Sequence, residues 1–362
     1  MHHTVHMFYK FNFHYYSAMY EVLSELSKTN QCRYFEKPKG SHQFFLLQDQ
    51  GLKIILRHIE LEDGITYSAI EIIMSPMRLL DANDYLQLAD EVDLKRIQVA
   101  FKRAFKEIRK KFQSKKRNKF LIFRFDMLDV YSYKRIDFAI NINTKQIDLY
   151  MKLIKRANIP NGFQLYMEYN CTSNRSKPPE DSFYIFKKSF PKDKCEHVDV
   201  TVNCYNKGKQ MQENGLPFDE RAITTIRFEV QCHYNKVYRI IRSKKLNKQG
   251  YYQFLRQDIS GDVLHKYFKK TIGYGDYYRL PIAKELISNK RLKPETKKNL
   301  IDMLNFVSEK RGIWKAREAV YDKKNFDKYI KKLHDIGINP VTIPIAEGID
   351  YLPCLFDITN QI

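Results

Sequence analysis

Three segments with a repeat of two residues constrain this chain more than any other feature. They are 133–141, 198–207 and 225–231. In each, apolar side chains alternate with polar or charged ones, which predicts strands, because successive side chains of an extended chain point to opposite faces. Arg135 and Asp137 stand between Tyr133, Ile136 and Phe138; Arg227 and Glu229 stand between Ile226, Phe228 and Val230. A charge in such a place is costly to bury without a partner. The strands therefore need a common polar face, on which Asp137, Glu229 and the pair Tyr205 and Lys207 can meet. A local alternative exists: Arg135 and Asp137, like Arg227 and Glu229, are two residues apart on one side of a strand and can pair with each other.

The flanking sequence reads as α+β. An amphipathic helix is expected over 18–27, after an aromatic run from Phe8 to Tyr16. Strands are expected at 43–48, 52–61 and 66–74, with turns at 37–40, 49–51 and 62–64. The segment 92–112 predicts a helix with Ile97, Phe101, Phe105, Ile108 and Phe112 on one face. Its other face carries Lys102, Arg103, Lys106, Arg109 and Lys110 and runs into Lys115, Lys116 and Arg117. Further strands are expected at 120–126, 135–142, 163–170, 182–186, 197–205 and 223–233. A helix is expected at 147–157, a short helix or turn at 206–215 and a loop at 171–181. From about 236 the pattern turns helical, ending in three short helices at 294–310, 315–321 and 325–336, compatible with a helix-turn-helix, and then an extended tail. The expectation is a mainly antiparallel sheet with helices on one face. Residues 1–235 would form this part, with two similar halves, and 236–362 a helical DNA-binding or packing region.

Composition narrows the partners. With 63 Lys and Arg against 42 Asp and Glu, the 362-residue chain carries a formal charge of +21. Such a field favours polyanions: DNA, RNA or an acidic membrane surface. No apolar run approaches the roughly 18 residues that span a bilayer. The N-terminus, with His2, His3, His6 and His14, lacks the layout of a signal peptide. The six cysteines form no C-x-x-C pair, which fits reduced thiols in a cytoplasm and neither a disulfide scaffold nor a zinc finger. No glycine-rich loop ends in G-K-[ST], so ATP hydrolysis by this chain is not expected.

The three strand motifs suit one chemistry. A tyrosine can attack a phosphodiester and hold the strand through a phosphotyrosine bond, keeping the bond energy for rejoining. Carboxylates can hold a hard divalent cation that neutralises the phosphate. Tyr205 is the candidate nucleophile, with Lys207 beside it, and Tyr184 is the alternative. Asp137 and Glu229 are the candidate metal ligands, for Mg²⁺ or Mn²⁺. Arg135 and Arg227 are candidate phosphate contacts.

The order R-x-D-x-A at Arg135–Ala139, Y-x-K at Tyr205–Lys207 and R-F-E at Arg227–Glu229 resembles the rolling-circle replication initiators of Gram-positive plasmids and phages, and the related relaxases of conjugative elements. The resemblance spans about 120–235. It implies a cytoplasmic protein that nicks one strand at a replication origin and rejoins it, binds double- and single-stranded DNA, and works as a homodimer or with a host helicase. A family tyrosine upstream of the second motif would correspond to Tyr184. Two departures stand out: Asn141 occupies a place where a second acid is frequent, and no His-hydrophobic-His pair occurs. Two other readings fit the same charge: a non-catalytic DNA-binding replication or regulatory protein, and an RNA-binding protein in which basic and aromatic residues interleave.

Overall fold

The structure is a computed structural model that describes residues 1–37, 40–60, 66–166, 182–189 and 197–356. The turns expected at Pro38 and Lys39 and at 62–64, the loop 171–181, and the end of the strand 163–170 lie outside the described residues. The fold is α+β. Its strands in chain order are β1 (His2–Phe11), β2 (Tyr34–Lys37), β3 (Ser41–Phe44), β4 (Leu52–Glu60), β5 (Thr66–Met74), β6 (Ser132–Asn143), β7 (Phe163–Leu165), β8 (Ser182–Ser189), β9 (His197–Asn206) and β10 (Thr225–His233). They form an antiparallel sheet of order β2-β3-β4-β5-β1-β6-β10-β9-β8-β7. The chain divides into two compact units, 1–139 with 231–262 and 140–230 with 263–362. Each unit draws on two stretches of sequence, so the units do not follow a single cut at 235. Strands β6 and β10 supply residues to both, and composition along the chain carries no signal for that.

In the first unit β1 lies between β5 and β6, with Val5 opposite Met74 on one side and Ile136 on the other. The sequence reading assigned no strand here. Residues 2–11 mix histidines with aromatics, and a central strand makes its hydrogen bonds only to remote segments. Helix α1 (Phe13–Thr29) follows, started by Asn12, whose side chain accepts from the Tyr15 N–H at 3.2 Å. It buries Ala18, Met19, Val22 and Leu23 and packs against β4 and β5. After the short α2 (Pro76–Leu80), the expected helix over 92–112 forms as α3 (Leu94–Ala104) and α4 (Lys106–Ser114), with a break at Phe105. The expected apolar stripe from Ile97 to Phe112 is buried. Residues 120–126 are not a strand. Their backbone is held by side chains instead: the Ile122 N–H donates to Tyr15 Oη at 3.0 Å, and Tyr131 Oη donates to the Phe125 carbonyl at 2.7 Å.

In the second unit α5 (Ile147–Ile154), α6 (Lys207–Glu213) and α7 (Glu220–Ile223) accompany the strands. The helical C-terminal region was expected and is present. The first unit's last segment carries α8 (Tyr234–Ser243) and α9 (Tyr252–Leu255), and α10 (Gln257–Lys270) runs across the boundary at 262; the second unit then carries α11 (Leu280–Asn289), α12 (Pro294–Glu309), α13 (Ile313–Ala319) and α14 (Lys323–Asp335). Leu300, Leu304 and Leu333 close a core with Ala283, Ile287 and Ile338. The tail is tied down by bridges of Ile338 to Asp276 and Ile343 to Arg279, and by pairing of β11 (Tyr277–Tyr278) with β12 (Tyr351–Leu352). Among the described residues no helix is long and apolar enough to cross a membrane.

One charge cluster ties four strands of the first unit together. Glu71 on β5 has no exposed side-chain surface; it accepts from His6 on β1 at 2.8 Å and pairs with Arg57 on β4 and Lys134 on β6. Burial alone would raise its pKa, but the hydrogen bond from His6 and the charge of Lys134 outweigh it and bring the carboxyl down to about 2. Burial lowers the His6 pKa, so at neutral pH the ring donates as a neutral imidazole. The folded pKa of Glu71 lies below its ordinary value of 4.5, so its contribution is present above that pH and fades as pH falls towards about 2. Glu71→Gln is expected to lower unfolding stability by about 3 kcal/mol at pH 7, by roughly 1.4 kcal/mol per pKa unit. Urea denaturation at several pH values checks this, since the gap between the two proteins should close as the pH drops from 5 to 2.

Candidate functional site

The alternation that predicted β9 and β10 produces two kinds of face. Val200, Val202 and Cys204 on β9, and Ile226, Phe228 and Val230 on β10, are buried. So are the intervening Thr201, Asn203 and Tyr205, and Thr225, Arg227 and Glu229. Opposed residues of an antiparallel pair share a face. The register of β8 on β9 sets Tyr184 opposite Asn203 and Ser182 opposite Tyr205, so both tyrosines stand on the polar face. Three side-chain hydrogen bonds tie that face together within the second unit. Tyr205 Oη donates to Glu229 Oε2 at 3.3 Å, Arg227 Nε to Asn141 Oδ1 at 2.9 Å, and Thr225 Oγ1 to Asn143 Oδ1 at 2.9 Å. The position at which the resembled family often has an acid thus holds an amide that accepts from a wholly buried guanidinium.

Tyr205 is 5% exposed. Burial raises its phenol well above the ordinary range, the Glu229 charge raises it further, and the Arg227 charge opposes the rise. At neutral pH it is a neutral phenol that donates to Glu229. Lys207, expected to act on Tyr205, is buried at the start of α6 and donates from Nζ to Gln210 Oε1 at 2.8 Å. Tyr184 is only half buried, and its ring meets that of Tyr166 edge-on at 5.1 Å between centroids.

Asp137 on β6 is buried and pairs with Arg135 Nε at 3.0 Å, the local same-face pair that strand geometry allowed. Opposite it on β1, the register skips one residue between His2 and Thr4, so His3 is the extra residue of a bulge. His3 and Asp137, both in the first unit, each offer one ligand atom, and these atoms lie within 4.8 Å of one another, whereas Glu229 belongs to the second unit. A carboxylate suits Mg²⁺ or Mn²⁺, and the imidazole tilts such a pair towards Mn²⁺. The sequence reading used the histidines only to judge the N-terminus. The bulge that singles out His3 depends on the pairing of β1 with β6, which has no local signal.

The basic residues of 102–117 fall into two groups. Arg109 pairs with Asp126 at 2.8 Å and lies over the Phe123 ring, Lys115 pairs with Glu21 at 2.9 Å and with Glu25, and Arg117 pairs with Glu21. These cations fasten α4 and the segment after it to α1 and to 120–126. Lys102, Arg103, Lys106, Lys110 and Lys116 are exposed.

Comparison with known proteins adds little to this geometry. No protein-family model and no curated protein matches the chain. One of the solved structures that match is the crystal structure of the di-domain ARO/CYC StfQ from the steffimycin biosynthetic pathway, at 10% identity over 72% of this chain and 94% of that one, with a TM-score of 0.19. At that score the likeness carries no argument.

The two arginines of the paired motifs differ in environment, and their removal should differ accordingly. Arg227→Met is expected to lower stability by about 3 kcal/mol, because it removes one partner from a buried polar network. Arg135→Met is expected to lower it by less, about 2 kcal/mol, because Arg135 is itself 30% exposed but its loss leaves the buried Asp137 without that pair. Urea denaturation of the two variants at pH 7 compares them directly.

Proposed function

We propose that the chain is a replication initiator that nicks one DNA strand through a tyrosine and rejoins it. The observation that carries this reading is the contact of Tyr205 with Glu229 on the buried polar face that also holds Arg227. Glu229 is placed to take the phenol proton as Tyr205 Oη forms its bond to phosphorus. The bond from phosphorus to the leaving deoxyribose oxygen breaks, and that oxygen takes up a proton. The reverse step rejoins the strand, with no external energy source. Arg227, beside the phenol, supplies positive charge for the phosphate oxygens. Asp137, with His3, would hold Mg²⁺ or Mn²⁺, which would neutralise further phosphate charge when bound. Tyr205 is enclosed, so the polar face must open for a phosphate to reach it. Tyr184, more open on the same face, is the second candidate nucleophile.

The exposed Lys102, Arg103, Lys106, Lys110 and Lys116 would hold the duplex through its phosphates. In the second unit the exposed Lys324, Lys328 and Lys331 on α14 repeat at helical spacing and offer a separate row of cations for phosphates. A second reading has one observation in its favour. Asp137 is already paired with Arg135 and Tyr205 is sealed, as in a protein that binds DNA and does not cut it.

A supercoiled plasmid carrying the cognate origin, incubated with the protein and Mn²⁺, separates the two readings. Relaxation and a protein–DNA adduct that survives denaturation are expected for the wild type, with at least a hundredfold loss, on the order of a removed nucleophile, in Tyr205→Phe. An adduct that persists in Tyr205→Phe and vanishes in Tyr184→Phe moves the nucleophile to Tyr184; no relaxation by the wild type leaves the binding protein. Bound Mn²⁺ read by electron paramagnetic resonance should fall in Asp137→Ala whether or not cutting occurs. Duplex binding should weaken with salt, and each lysine of Lys102, Lys106 and Lys110 that touches a phosphate should, when changed to Ala, reduce the slope of log affinity against log salt by about 0.9.

A further inference from the structure

A cavity of 820 Å³ opens in the second unit where β9 ends and α6 begins, within the roughly 300–1,000 Å³ of small-ligand sites. Asn206, the residue after Tyr205, lies on its wall and caps α6, accepting from the Lys209 N–H at 3.1 Å. Its back is fixed by a close approach: a Cβ on Gly208 would come within 3.0 Å of the Ala222 carbonyl oxygen and 3.1 Å of Ile223 Cα. Leu149, Met211 and Ala222 supply a buried apolar floor. At the mouth Phe218 is 82% exposed, together with Ile223. A phenyl ring left so open on a cavity rim has no packing role within the described residues.

We propose that this cavity takes one unstacked base of single-stranded DNA. The cavity lies on the other face of the sheet from Tyr205, since Asn206 and Tyr205 are successive residues of β9 and only Asn206 lines it. The proposal rests on the DNA-binding part of the proposed function, and on the cavity for its chemistry. Phe218 offers a ring face for stacking. Gln146 and Gln212, both exposed on the wall, offer amide donors and acceptors to the edge of a base. The charges at the rim favour an anionic backbone. Lys145 is exposed and has no ion-pair partner among the described residues, whereas the two acids there are occupied, Asp148 by Lys209 at 3.3 Å and Asp219 by Arg221 at 2.7 Å. A stacked base of a duplex cannot enter such a cavity, so it selects for single-stranded DNA.

The test uses the full chain in EDTA, so that binding is read apart from cutting, with fluorescein-labelled single-stranded oligonucleotides of the origin followed by anisotropy. Phe218→Ala, a change at an exposed position, is expected to weaken single-strand binding about tenfold and to leave duplex binding unchanged. Ile223→Trp, which narrows the mouth, should act in the same direction. Replacing nucleotides one at a time by an abasic residue should weaken wild-type binding about tenfold at one position, and that position should make no further difference in Phe218→Ala. Equal affinity of wild type and Phe218→Ala for every oligonucleotide, or an even response to abasic sites along the strand, overturns the proposal. Loss of the abasic response in Phe218→Ala with no plasmid relaxation by the wild type would keep the base pocket and remove the nuclease.

Discussion

Burial of polar residues within the sheet is the constraint on which the rest of this structure depends. Strands with one dry face are common, and their other face is usually wet. Here β9 and β10 bury both faces. Thr201, Asn203, Tyr205, Thr225, Arg227 and Glu229 are as enclosed as the apolar residues between them. A guanidinium with no exposed surface is tolerated only with partners, and Asn141 is one of them. Such a network fixes strand register tightly. A shift of one residue on β10 would place Arg227 and Glu229 among Val202 and Cys204 and strip both of their hydrogen bonds.

The same economy of charge governs the first unit. Glu71 collects His6, Arg57 and Lys134 from three other strands, and α4 is fastened to α1 through Glu21 and Glu25. Each such pair takes up an acid with its cation, so the excess of +21 is left to the surface. Exposed cations include the outer row of α3 and α4, the row on α14, and Lys145 at the rim of the cavity beside α6. Composition gives the size of the excess, and the folded chain shows where some of it is open to a ligand.

Tyr205 illustrates the tension in a catalytic reading. Its hydrogen bond to Glu229 is the arrangement that a phenol nucleophile with a base requires, and its burial is the condition that holds the proton on. On the proposed nicking function, opening of the polar face would reconcile the two, since a phosphate entering beside Arg227 would bring water and charge with it. Tyr184 needs less movement, and it stands two residues along the same face by register with β9.

The sequence by itself determined the alternation of 133–141, 198–207 and 225–231, hence that Asp137, Tyr205, Arg227 and Glu229 would lie on strands. It also determined the apolar stripe from Ile97 to Phe112 and the helical character after 236. These are local properties, fixed by a period of two or near 3.6 and by turn residues. Only the tertiary structure decided which strands are neighbours. The placement of β1 beside β6, the bulge at His3, the pairing of Arg227 with Asn141 and the replacement of a strand at 120–126 by side-chain hydrogen bonds all follow from contacts between remote segments. The sealed state of Tyr205 belongs with these, because burial is set by whatever packs over a residue and leaves no trace in its own neighbourhood of sequence.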